Sequence, residues 1–189
     1  MKQLTKIGRF LYGIGIAAVG IHQLVIKEFR PEILSPFPAW AHKYIAFPIL
    51  TGIALIFAGT IISGLFKIKF VSTKNICLYL GFCFLALFIT SHLPYILILS
   101  PDKASRLEVW FGAVEALAYG GGAFVMAGSF PENSFSGRRK NFFTLLLEKL
   151  IPCGRIFYSV LIILFGWRDR KSTRLNSSHH AISRMPSSA

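Results

Sequence analysis

Long apolar runs separated by short polar breaks dominate the chain. Four runs, Ile7 to Ile26, Tyr44 to Phe66, Ile76 to Leu99 and Val109 to Phe130, reach the length at which a helix crosses a bilayer core. About 20 residues are needed at a rise of 1.5 Å each. The pattern predicts an all-α integral membrane four-helix bundle over residues 1–130. A fifth run, Ile151 to Trp167, is shorter, and its continuously apolar part from Ile156 covers only about 18 Å of a roughly 30 Å core. It reads as a truncated fifth transmembrane helix, reached through a cytoplasmic linker over 131–150.

Composition removes the competing classes. Of 189 residues 53% are apolar, only 15% are charged, and mean hydropathy is +0.56; a soluble domain carries about 25% charge. Twenty-one Lys and Arg against 8 Asp and Glu give +13, which in this setting points to basic loops that fix orientation in a lipid bilayer and not to nucleic acid. Lys2, Lys6, Arg9, Lys67, Lys69, Lys74, Arg138, Arg139, Lys140, Lys149 and Arg155 place eleven on one side; Lys27, Arg30, Lys43, Lys103 and Arg106 place five on the other. The bias predicts a cytoplasmic N-terminus. The first run continues through His22 and Gln23 without an A-x-A cleavage pattern, so it is expected to stay as an anchor. Cys77, Cys83 and Cys153 form neither a CxxC pair nor an even set, which favours apolar filling over a disulfide or a metal site.

Residues 169–189 have no periodicity. The segment from Asp169 to His179 back-translates, over eleven consecutive codons, into a sequence that resembles a common short-read sequencing adaptor. This tail is expected to be an assembly scar with no packing role, and with it His179 and His180 leave the candidate metal ligands. Upstream, Gly8-Arg9-Phe10-Leu11-Tyr12 with Ile16 and Gly20 aligns at an offset of 146 with Gly154-Arg155-Ile156-Phe157-Tyr158 with Ile162 and Gly166, five identities in thirteen positions. If the repeat is genuine, residues 151–168 are expected to be the first helix of a second unit and the chain a fragment; chance similarity between two apolar helices is the alternative.

Ionisable residues are rare inside the runs, and each costs on the order of 2.5 to 3.5 kcal/mol at mid-membrane. His22 and Gln23, Ser91 and His92, and Glu115 all fall in the outer third of their helices. The coincidence marks His22, Gln23, His92 and Glu115 as a candidate polar pocket. Pro94 cannot donate to the carbonyl of Thr90 and predicts a kink beside His92. Gly112, Ala116 and Gly120 flank Glu115 with small-xxx-small spacing, which turns it inward. An inward Glu near histidines can share a proton; equally, such groups can simply hydrogen-bond between helices. The first outer loop, KEFRPEILSPFPAWAHKY, is stiffened by Pro31, Pro36 and Pro38 and rich in aromatics, so Arg30 and Trp40 are candidate cap residues, with interfacial anchoring as the other reading of Trp40. Gly120-Gly121-Gly122 lacks the Lys-Ser/Thr of a phosphate loop and is expected to serve close helix packing. Ser-His-Asp order, paired carboxylates and HExxH are absent from the sequence.

Gly20-Ile21-His22-Gln23, then Phe29-Arg30-Pro31, Pro36, Pro38-Ala39-Trp40, Thr51-Gly52-Ile53-Ala54-Leu55 and His92-Leu93-Pro94-Tyr95 together resemble the DoxX-like family of small bacterial membrane proteins, over about residues 5–130. The resemblance implies a four-helix transmembrane bundle in the bacterial inner membrane, association with another membrane redox subunit, and quinone as a candidate cofactor. It departs from the family in size, because a typical member ends after one bundle. Two functions stay open. One is a redox-associated subunit with a quinone or small-molecule pocket in the outer leaflet. The other is a non-enzymatic scaffold or assembly factor that uses the same polar groups as helix ties. Solute transport ranks last because the inner halves of the helices offer no polar path.

Overall fold

The protein is described from a computed structural model, which covers the backbone of residues 2–66, 72–130 and 142–182 and the side chains of 3–66, 72–130 and 142–167. The expectations for residues 67–71, for 131–141 of the linker and for the side chains of the tail lie outside the described residues. Within them the chain is all-helical: α1 (Lys2–Ile26), α2 (Ala39–Lys43), α3 (Ala46–Ser63), α4 (Thr73–Leu99), α5 (Leu107–Ser129), α6 (Phe142–Glu148) and α7 (Cys153–Ile182). The long helices α1, α3, α4 and α5 are each long and apolar enough to cross a membrane, and α6 with the start of α7, bent at 47°, adds a fifth only if the bent pair is taken as one span. This is a multi-pass membrane protein. Leu11, Val25, Leu50, Ile53 and Ile98 stand exposed on the outside of the bundle, as side chains facing lipid do.

Glycine sets how closely the helices approach. With lipid as solvent, burial of apolar surface does not by itself drive helices together, so close backbone contact and interhelical hydrogen bonds carry association. In α1 and α3, which run antiparallel, Gly13 faces Gly59 and Gly20 faces Gly52: a Cβ on Gly13 would lie 2.6 Å from the Gly59 carbonyl oxygen, and one on Gly20 would lie 2.6 Å from that of Gly52. The α5 helix is the hub, 50% buried over its apolar window against 22–33% for the other spans. Three successive glycines serve three neighbours, because residues step by 100° around a helix. Gly120 meets α4 at Gly81, Gly121 meets α7 at Gly154, and Gly122 meets the Tyr12 ring of α1. Close packing, expected for this triplet, is what the structure shows.

Two cores result. The one nearer the loop Lys27–Tyr44 joins Ile16, Val19, Ile33, Leu55, Phe84 and Ala116; the other joins Ile62, Cys77, Leu78, Phe124, Ala127 and Leu147. Helix ends follow local chemistry. The chain turns out of α3 at Gly64, whose φ of 82° is open to glycine and whose N–H donates to the Ile61 carbonyl at 3.1 Å. In α4 the expected disturbance at Pro94 takes the form of two widened turns, Phe88–His92 and Tyr95–Leu99, on either side of it. The Leu93 N–H reaches back to Phe88, five residues earlier; π turns of this kind often mark functional sites.

The linker holds more structure than its length suggests. Helix α6 is too short to span but apolar enough to pack: Leu147 is buried, Phe143 stacks on Tyr79 and meets the edge of Phe82, and Glu148 pairs with Lys74 at 2.7 Å. Pro152, without an N–H, separates α6 from α7. The α7 backbone then runs unbroken through Ile182, a stretch after Trp167 that contains neither Gly nor Pro.

The α1–α3 contact gives a direct test. Gly13→Ala is expected to destabilise the detergent-solubilised protein by about 1–3 kcal/mol through overpacking. Gly15→Ala, two residues away and with nothing within 4 Å of the added carbon, is expected to be neutral or slightly stabilising. Unfolding curves of the two variants measure the difference.

Candidate functional site

The loop Lys27–Tyr44 builds the site. The chain leaves α1 at Lys27, which takes a left-handed turn at φ 56° while its N–H still bonds to the Gln23 carbonyl at 2.9 Å. A turn follows in which Ile33 and Leu34 donate to the Arg30 carbonyl at 2.9 and 3.0 Å. This drives Ile33, Leu34 and Ser35 into the bundle, where they are 3%, 6% and 3% exposed. The α5 helix admits the loop because Gly112 has no side chain: a Cβ there would lie 2.7 Å from the Pro31 carbonyl oxygen.

Arg30 and Glu32 form a two-pronged ion pair, Nε and Nη2 donating to the two carboxylate oxygens at 3.0 and 3.1 Å. Burial raises the Glu32 carboxyl, but the Arg30 hydrogen bonds and charge outweigh it, with His22 contributing, and hold it below its ordinary value of 4.5. The Arg30 guanidinium is correspondingly raised, chiefly by its hydrogen bond to Glu32. Glu115 of α5 faces the same pair, within electrostatic reach of both Glu32 and Arg30. Tyr119, one turn further along α5, lies within electrostatic reach of Arg30, Glu115 and Glu32.

The next residue of the loop serves α4. His92 is 3% exposed, hydrogen-bonds to the backbone of Ile33, and has no partner at Nε2. Beside it the Ser35 hydroxyl lies 2.7 Å from that of Ser91 and 3.0 Å from the Ser91 carbonyl, while His42 Nε2 lies 2.8 Å from the Ser35 carbonyl. Gln23 of α1 is fully buried. Its Nε2 donates to the Pro48 carbonyl at 2.8 Å and to the Thr51 hydroxyl, and its Oε1 has no partner. An apolar crevice of about 320 Å³ opens between α3 and α4, and its walls include Thr51 and Ile33, the residues bonded to Gln23 and His92.

Of the residues the sequence singled out, Glu115 meets the loop through Glu32, His92 meets it through Ile33, and Arg30 belongs to the Glu115 cluster. His22 is exposed at the margin, within electrostatic reach of Glu32. Trp40 stands apart, 61% exposed, its ring meeting the edge of Phe47 at 5.6 Å. Sequence reasoning missed Glu32, Ser35 and Tyr119. The signal for Glu32 was present in its spacing from Arg30, two residues away in a stiff loop. Among the described residues no group of three His, Cys, Asp or Glu could hold a metal ion. Comparison with protein-family models, curated proteins and solved structures returns no match.

The depressed Glu32 carboxyl has a defined pH signature. A group lowered on folding contributes stability above its ordinary value and loses it as pH falls through the folded one. Protection of loop amides from hydrogen exchange is therefore expected to hold at neutral pH and fall below pH 4.5, by a modest amount because the pair is partly solvated. Glu32→Gln is expected to remove this component of the pH dependence.

Proposed function

We propose that the chain is a DoxX-like subunit of a redox complex in the bacterial inner membrane, N-terminus cytoplasmic, which holds a quinone or similar small molecule under the loop Lys27–Tyr44 in the outer leaflet. The observation that carries this reading is the pair of buried polar atoms without partners, Gln23 Oε1 and His92 Nε2. Each costs roughly 1–3 kcal/mol if left unmet. Gln23 Oε1 is an acceptor, and a neutral His92 that donates to Ile33 through its other nitrogen presents Nε2 as an acceptor too. They fit the hydroxyl of a reduced quinol or another donor headgroup, and the crevice walled by Thr51 and Ile33 suits an apolar remainder. When bound, a quinone supplies two-electron, two-proton chemistry. The chain's own residues orient the headgroup, keep bulk water out through Ile33 and Leu34, and offer Glu115, beside Glu32, as the proton carrier.

The scaffold reading is favoured by a different observation, the tie between the Ser35 and Ser91 hydroxyls, which fastens the loop whether or not anything binds. Glu115→Gln separates the two readings, since it keeps size and hydrogen bonding but removes the titratable proton. Under the proposed function it is expected to lower quinone retained by the purified protein, or activity of the assembled complex, by about tenfold, with the fold intact. Under the scaffold reading Glu115→Gln is silent, and only Glu115→Leu weakens the protein.

A further inference from the structure

At the end of the bundle opposite the loop, the first turns of α1, the last turn of α5 and the start of α7 enclose a cavity of about 710 Å³. Leu4, Val125 and Ile151 supply apolar wall, Gly8 and Ser129 supply backbone and hydroxyl, and Arg155 supplies charge; among the described residues no acidic one lines it. Gly8 leaves open space, with nothing within 4 Å of where its Cβ would stand. The two arginines of the repeated Gly-Arg pair, Arg9 and Arg155, both come to this end, and among the described residues only Arg9 is engaged in holding the bundle. Arg9 donates to the Ser129 hydroxyl at 2.8 Å and to the Ser129 carbonyl, and lies 3.9 Å over the Phe130 ring. Arg155 is exposed at the cavity, and neither ion pair among the described residues includes it.

We propose that this cavity binds the phosphate of an anionic phospholipid, with the Arg155 guanidinium as its partner and Leu4, Val125 and Ile151 against the upper methylenes of the acyl chains. The planar fork of arginine matches two phosphate oxygens at once. The cavity lies at the helix ends, where headgroups sit, and on the side to which the sequence assigns eleven of the loop and terminal Lys and Arg against five. A cationic site with no acidic wall among the described residues discriminates against the choline of a zwitterionic lipid, so the net negative headgroup is preferred. The site is independent of the proposed small-molecule pocket, which lies at the other end of the bundle.

The test is lipid retention by the full chain. Protein reconstituted in vesicles of equal phosphatidylglycerol and phosphatidylcholine is extracted in mild detergent, and the bound lipid is counted by mass spectrometry. The expected result is about a tenfold preference for phosphatidylglycerol, about 1.4 kcal/mol, that falls to near parity in Arg155→Gln and persists in Lys149→Gln, which removes a charge on the same side. Should Arg155→Gln not be recovered folded, Arg155→Lys carries the test, with a severalfold loss expected as the fork is replaced by a point charge. Equal retention of the two lipids by the unaltered protein, or unchanged preference in the Arg155 variants, would overturn the proposal. Displacement of the lipid by millimolar inorganic phosphate, with equal thermal stabilisation by phosphate alone, would overturn the lipid as source and assign the site to free phosphate.

Discussion

A buried polar side chain in an apolar bundle needs a partner, and here the partners come from one loop. Glu32 reaches Glu115 of α5, Ile33 offers its backbone to His92 of α4, and Ser35 meets Ser91 of the same helix. Within four residues the loop answers polar groups on two helices that would otherwise face hydrocarbon at a cost of several kcal/mol. The Arg30–Glu32 pair fixes the carboxylate that does the first of these tasks. What the sequence presents as an outer cap is therefore a plug, with Leu34 buried as its wedge and Ile33 joining the loop-side core.

The plug depends in turn on small residues. Gly112 lets the loop backbone approach α5, and Ala113 and Ala116 beyond it are fully buried. The same helix brings α4, α7 and α1 together through Gly120, Gly121 and Gly122. Where side chains are absent, backbones approach closely enough for dispersion and hydrogen bonds to hold helices in lipid. That close approach fixes the depth of Glu115 and the position of the loop above it. It also explains why α5, the least uniformly apolar of the spans, is the most buried.

The spans were legible because hydropathy and length decide them almost alone in a bilayer, and the boundaries of α1, α3, α4 and α5 fall within a few residues of the apolar runs. The inward face of Glu115 was legible from Gly112 and Ala116. Less so was the division of labour between His22 and Gln23. Neighbours on a helix diverge by 100°, so only one can point inward; Gln23 does, fully buried, while His22 stays exposed. Glu32 was passed over because aromatic and proline content drew the loop as a lid, whereas its carboxyl acts inward. Trp40 could have capped or anchored; its exposure and contact with Phe47 put it at the surface. The second widened turn in α4 and the packing of α6 on Tyr79 and Phe82 depend on contacts between distant segments, which no local pattern carries.

The coupling between Glu32 and Glu115 is the most direct measure of whether the loop is part of the bundle. In a double-mutant cycle of Glu32→Gln and Glu115→Gln, followed by unfolding in detergent, the pair is expected to show an interaction energy of about 1 kcal/mol, as neighbouring residues of one polar network do. Strictly additive effects, with coupling near zero, would mean that the loop lies over the bundle without being joined to it, and would contradict the account.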